Sequence, residues 1–275
     1  MRIGMIQMTS SAKPKENLQY IREGVEALAV QGAELISTPE NALVFGQRSD
    51  YHSVAERLGE GELQSEFQAL AKLHQVWLHI GSFPIRQGNG VSTTTLIYSP
   101  DGELAAHYDK LHLFDVDVED KQGSYRESDT FTYGNKISLL KLPSATLGLT
   151  ICYDLRFPAL FNELRLGGAD VILVPAAFTA VTGKAHWETL LRARAIENQC
   201  FIIAVNQGGT HNCGRETWGH SMVIDPWGEV IASLEQDAKT LLVDLDLEQV
   251  ATIRKNMPLT EHNRFRSELK KEPIK

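Results

Sequence analysis

MRIGMIQMTSSAKPKENLQYIREGVEALAVQGAELISTPE, residues 1–40, changes its hydrophobic period twice. MRIGMIQM alternates as a strand does. In PKENLQYIREGVEALAVQG, Leu18, Ile21, Val25 and Leu28 share one face of a helix of 3.6 residues per turn, and AELISTPE returns to a short strand. ELQSEFQALAKLHQ then predicts a second helix, with Leu63, Phe67, Leu70 and Leu73 on one stripe, leading into the strand VWLHIGSF. Strand, helix, strand, helix, strand is the pattern of a layered α/β fold.

Further along, STTTLIYSPDGELAAHYDK predicts a hairpin about an Asp-Gly turn. LHLFDVDVEDKQGSYRESDTFTYG is irregular and polar, too long for a mere connection, and loops of that kind are functional or disordered. After it KISLLKL and ATLGLTIC read as a strand pair, followed by helix PALFNELRLGG, strand ADVILVPAA, helix KAHWETLLRARAIENQ and strand CFIIAVNQ. LIYSPDGELAAH (96–107) and MVIDPWGEVIAS (222–233) echo one another. The echo suggests two similar halves packed sheet to sheet around one core, although two unrelated hairpins with the same turn chemistry would read alike. No Pro-, Gly- or Ser-rich linker separates the halves, so residues 1–275 are expected to form one domain, with the charged tail ELKKEPIK frayed or reaching to a neighbouring subunit.

With 27 basic against 35 acidic residues, a formal net charge of −8, the chain is not expected to bind nucleic acid or an anionic membrane. Cys152, Cys200 and Cys213 are widely spaced and odd in number, which fits neither a disulfide framework nor a zinc site. The amino terminus lacks the pattern of a secretory signal, and no apolar run spans a bilayer. The expected location is the cytoplasm.

LTICYDLRFP, residues 149–158, joins a strand to a helix opened by Pro158. Cys152 in such an elbow is either a small buried hydrophobe or a nucleophile, with the Tyr153 amide placed to bind an oxyanion. His112, His186 and His220 lie near interesting segments, each with a plain reading as a polar or packing residue. A carboxylate raised toward neutrality by burial could serve as base instead. Glu40 closes the strand AELISTPE, where α/β proteins place their sites, but could equally be a surface residue. Lys110, after AAHYD, is a solvated strand end or a fixed cation.

TPENAL with Glu40, YDKLHLF with Lys110, YRES with Glu127 and LTICYDLRFP with Cys152 resemble, in order and spacing, the Glu-Lys-Cys motifs of the nitrilase superfamily of carbon–nitrogen hydrolases. The likeness continues through TGKAHWETLLRARAIENQ, WGHSMVIDPWGE and EHNRF, and so covers nearly the whole chain. It implies a four-layer αββα sandwich, paired into a homodimer or larger assembly, that hydrolyses amides through a cysteine thioester without metal or cofactor. By the same likeness Cys152 is the nucleophile, Glu40 the general base, Lys110 the cation of the oxyanion hole and Glu127 an orienting carboxylate.

Within the superfamily, TGKAHWE and GHSMVIDPWG look most like the branch acting on deaminated glutathione, with ω-amidases on 2-oxoglutaramate as the alternative. An acyltransferase or a non-catalytic binding protein is a remoter reading. Both candidate substrates are anionic, so Arg156, Lys184 and Arg215 are expected to bind their carboxylates, next to Tyr153. Arg192 and Arg194 read as structural, Cys200 as core and Trp187 as packing. Cys213, in GGTHNCGRE, lies in a loop without a phosphate-binding spacing.

Overall fold

In the computed structural model, which describes residues 1–120 and 122–270, strand β1 (Arg2–Gln7) is buried on both sides. Ile3 and Met5 point into one hydrophobic cluster and Ile6 into another. Gly4 shares the Ile6 side, because a Cβ there would lie 2.9 Å from Leu28. β1 belongs to a six-stranded sheet with β2 (Leu35–Ser37), β3 (Trp77–Gln87), β4 (Gly90–Tyr98), β5 (Leu104–Asp109) and β16 (Lys239–Asp244), in the order β16-β1-β2-β3-β4-β5. A second six-stranded sheet contains β8 (Leu139–Lys141), β9 (Thr146–Leu149), β10 (Val171–Ala176), β11 (Phe201–Asn206), β14 (Met222–Ile224) and β15 (Val230–Ser233), in the order β15-β14-β11-β10-β9-β8.

The two sheets repeat one plan. β1, β2 and β3 run parallel, as do β9, β10 and β11, and each set continues into an antiparallel hairpin, β4–β5 or β14–β15. Those hairpins are the two segments that echo one another in the sequence. Helices α1 (Pro14–Val30) and α3 (Glu62–His74) cover the outer face of the first sheet, packing Leu18, Ile21, Val25, Leu28, Phe67 and Leu70 on Ile36, Leu78 and Leu96. Helices α4 (Pro158–Leu166) and α5 (Ala180–Asn198) cover the second, through Phe161, Leu164, Trp187 and Leu191. Between the sheets, Ile3, Met5, Leu35 and Ile97 share a core with Leu147 and Leu149. The layers are therefore αββα. Short helices α2 (Arg48–Val54), α6 (Glu248–Asn256) and α7 (Leu259–His262) complete the chain.

Three sequence expectations are corrected. Leu73 is 76% exposed, because it lies about 120° around α3 from Phe67, and the inward line runs through Gln64, Phe67, Leu70 and Ala71. The stretch 111–134 is not structureless. It contains a hairpin, β6 (Asp115–Asp117) with β7 (Ser124–Arg126), and a 3-10 turn Glu127–Asp129. A second small hairpin, β12 (Gly208–Thr210) with β13 (Glu216–Trp218), carries the GGTHNCGRE segment. Finally, α5 starts before Lys184, with Thr179 as its cap: the Thr179 hydroxyl accepts from the Thr182 amide at 3.3 Å. Of the tail, residues 268–270 are exposed and 271–275 lie outside the described residues.

The quieter readings fall into place. Cys200 is fully buried with its thiol 3.1 Å from the Ala169 carbonyl, and Trp187 is buried with its indole N–H on the His220 carbonyl at 2.8 Å. Arg192 donates to the Gly228 carbonyl at 2.8 Å, and buried Arg194 donates to the Leu155 carbonyl at 3.0 Å. Among the described residues no helix is long and apolar enough to cross a membrane.

Candidate active site

β9 ends at Leu149, and the chain turns sharply three residues later. Cys152 takes a φ of +48°, a left-handed conformation that costs a non-glycine residue and that the surroundings must hold in place. They do so through Asp154, whose carboxylate accepts from the Ile151 amide at 2.8 Å, while the Asp154 amide donates to the Ile151 carbonyl at 3.1 Å. A 3-10 turn Cys152–Arg156 follows, and Pro158 opens α4. The first amides of such a turn have no partner within it, which leaves the Tyr153 N–H at the mouth of the elbow.

Glu40 sits just beyond the end of β2, its carbonyl accepting from the Gln207 side chain at 3.0 Å. The loop that carries it packs closely on Gly81 of β3. A Cβ on Gly81 would lie 2.4 Å from the Thr38 carbonyl oxygen and 2.5 Å from Pro175 of β10. Lys110 follows β5, its amide donating to the Thr93 carbonyl at 3.1 Å and its own carbonyl accepting from Gly134 at 2.8 Å. Glu127 opens the 3-10 turn after β7, and its Oε2 accepts from the Phe114 amide at 2.6 Å.

These side chains meet in one buried cluster. Lys110 Nζ donates to Glu40 Oε1 at 2.7 Å and to both Glu127 oxygens at 2.9 Å. Lys110, Glu40 and Cys152 are 1%, 4% and 7% exposed, so the charges interact in a medium far less screening than water. Cys152 lines the same cavity as Glu40 and Ala177. Burial, and then the Glu40 carboxylate, push the thiol well above its ordinary pKa, with Lys110 and the Ala177 amide opposing. Burial also raises Glu127, assisted by Glu40 and opposed by Lys110. Burial works against the Lys110 ammonium, but Glu127 and Glu40 outweigh it and hold its pKa well above the usual lysine value. At rest the cluster is a thiol beside an ammonium clamped between two carboxyl groups. Such an arrangement can pass a proton from sulfur to a carboxylate as sulfur attacks, and can hold a new negative charge beside the ammonium.

Asp154 was not among the expected residues. Fully buried, it accepts from Tyr108 Oη at 2.8 Å, from the His112 amide at 3.2 Å and from Ile151, and lies 2.7 Å from His112 Nδ1. Tyr108 and His112 flank Lys110, so one carboxylate ties the lysine segment to the cysteine elbow. His112 in turn stacks on Phe157 at 3.7 Å.

Around this cluster the cavity wall includes Phe45, Phe114, Phe178 and Thr217, none of them legible as site residues from the sequence. Tyr153, Arg156 and Arg215 also line it. Arg156 lies over the Phe178 ring at 5.3 Å, and Arg215 over Phe45 at 5.5 Å and Tyr125 at 5.9 Å. Lys184 does not join them. Thr179 and Thr182 of the α5 end face the cavity and Gly183 packs against Trp218, which rotates residue 184 away to an exposed position. His186 stands 3.3 Å from Arg156, and His220 stacks on Trp218.

The sequence profile of the carbon-nitrogen hydrolase family matches residues 2–255. A protein of Yersinia enterocolitica named deaminated glutathione amidase is 45% identical over 97% of this chain and 94% of its own. Among solved structures, the NitFhit protein of C. elegans superposes with a TM-score of 0.89 at 37% identity, covering 96% of this chain and 65% of that longer one. The amidase of Nesterenkonia sp. AN1, in a mutant form showing Michael addition of acrylamide at its active-site cysteine, superposes at 0.79 with 26% identity over 95% of this chain and 99% of that one.

Proposed function

The chain belongs to the carbon–nitrogen hydrolase family, and on that premise we propose that it is an amidase that cleaves deaminated glutathione to 2-oxoglutarate and cysteinylglycine through a thioester on Cys152. The observation that carries this reading is the Lys110 ammonium held by Glu40 at 2.7 Å and Glu127 at 2.9 Å beside a buried cysteine. The substrate comes from the likeness to the Yersinia relative.

The thiol is protonated at rest, so attack requires a base, and Glu40 takes its proton as sulfur bonds to the amide carbon. Charge moves onto the carbonyl oxygen, which Lys110 and the Tyr153 amide receive. Collapse breaks the carbon–nitrogen bond, and Glu40 returns the proton to the departing amine. Water, deprotonated by Glu40, then attacks the thioester; the carbon–sulfur bond breaks, Glu40 returns the proton to sulfur, and the acid is released. Glu127 holds the ammonium against Glu40 throughout, and Arg156 and Arg215 offer cations to the two carboxylates of the substrate. The unpaired, exposed Cys213 supports a cytoplasmic setting. Exposed Trp227, together with Ile196, which is 50% exposed and packs on Gly228, supports a homo-oligomer.

The deciding experiment measures kcat/KM for deaminated glutathione and for 2-oxoglutaramate. A higher value for the dipeptide amide is expected; a higher value for the primary amide makes the protein an ω-amidase. Product analysis showing transfer to an added amine, in place of free acid, would establish an acyltransferase. Absence of any acyl adduct on Cys152 would leave a binding protein.

A further inference from the structure

A second cavity opens off the same wall as the site. Its lining includes Asp120, Gln122, Val181 and Cys213, together with Tyr125 and Arg215, which also line the site cavity. It offers about 260 Å³, just under the lower end of the range of about 300–1,000 Å³ common to sites for drug-sized molecules. Its walls come from the two small hairpins that stand outside the main sheets and from the first turn of α5.

An amide substrate straddles the nucleophile. The acyl half stays bonded to sulfur when the carbon–nitrogen bond breaks, and the amine half departs. A primary amide needs no room on the departing side; a dipeptide amide needs a pocket and a cation for its terminal carboxylate. The junction of the two cavities supplies both. Arg215 is held between the faces of Phe45 and Tyr125, and the Tyr125 ring is itself fixed by its hydroxyl, which donates to Asp120 at 2.7 Å. A guanidinium fixed in this way can meet a carboxylate at little cost in side-chain entropy.

We infer that the outer cavity is the subsite for the leaving amine, taking a dipeptide with a free carboxylate directed to Arg215, and that it sets the preference for a dipeptide amide over a primary amide. This inference rests on the substrate reading above.

The test uses two amides of the same acyl group, 2-oxoglutaramate and deaminated glutathione, with the parent protein and Val181→Trp. Val181 is 48% exposed and lines the outer cavity but not the site cavity, so the larger ring fills the one without entering the other. The ratio of kcat/KM for the dipeptide amide to that for the primary amide is expected to fall at least tenfold in the variant. If the parent prefers the dipeptide amide and the ratio stays unchanged in Val181→Trp, the subsite assignment is overturned while the substrate reading stands. If the parent shows no such preference, both are overturned. Should Val181→Trp lose its far-UV circular dichroism along with both activities, Cys213→Trp, at the exposed turn of the second hairpin, reads the same ratio.

Discussion

Cys152 owes its high pKa to burial and to the Glu40 carboxylate, and this gives the two residues a separable signature. Replacing Glu40 with Gln removes the proposed base but also the negative charge that holds the proton on sulfur. Hydrolysis should fall by about 10²–10⁴-fold, while the apparent pKa for alkylation of Cys152 by iodoacetamide moves down. A downward shift in rate with no shift in that pKa would place the glutamate away from the thiol. A second consequence concerns stability. Cys152 and Lys110 both bind their protons more tightly folded than unfolded, so the stability they lend is complete below the unfolded values, 9.0 and 10.5, and is lost as pH rises through the folded ones. Urea midpoints measured from pH 8 upward should therefore fall less steeply for Cys152→Ala than for the parent. At this scale the sequence was legible for Glu40, Lys110, Glu127 and Cys152, four motif residues that the fold gathers into one cluster. It was silent on Asp154, whose importance comes from Tyr108 and His112 folding back on it across 46 and 42 positions, and it misplaced Lys184, whose direction depends on where α5 begins.

Between elements, the site depends on how three loop ends are held to one another. Asp154 joins the segment after β5 to the elbow after β9, and the substitution Asp154→Asn keeps the shape but turns one acceptor into a donor facing donors. A group left unsatisfied in a buried site costs about 1–3 kcal/mol, and a small displacement of the lysine from the cysteine costs up to about 10²-fold in rate. The variant is expected to lose kcat with little change in KM, because the carboxylate touches none of the residues proposed to bind substrate. A change confined to KM would count against a positioning role. Gly81 tests the other loop. A methyl group there meets the Thr38 carbonyl and Pro175, neither of which can swing aside, so Gly81→Ala must part β3 from β10 beside Glu40. Overpacking of this kind typically costs about 1–3 kcal/mol, and the variant should show that loss in urea unfolding together with reduced turnover. The helix faces of α1 were readable from periodicity alone. The hairpin β6–β7 was not, because its strands are three residues each, too short for an alternating pattern to stand out in a polar segment.

In the whole molecule, the two halves are tied to one another at several places. The last strand among the described residues, β16, returns to pair with β1, and Arg2 meets Asp244 there at 2.8 Å. Across the middle, Gln7 donates to the carbonyls of Glu235 and Asp237, and Gln207 to the Ser10 hydroxyl and the Glu40 carbonyl. Ile3, Met5, Leu35 and Ile97 would lose their partners if the second sheet unfolded, and each Å² of apolar surface so exposed costs about 25 cal/mol. The site has the same division, with Glu40, Lys110 and Glu127 supplied before β8 and Cys152, Ala177 and Arg215 after it. The halves are therefore expected to unfold together. In Cys152→Ala/Cys213→Ser the only remaining thiol is Cys200, fully buried at the start of β11. Its labelling by a thiol reagent in urea should begin at the concentration where far-UV circular dichroism is lost. Labelling that precedes that loss would mean the second sheet opens while the first persists, and the internal repeat would then mark two folding units in place of one.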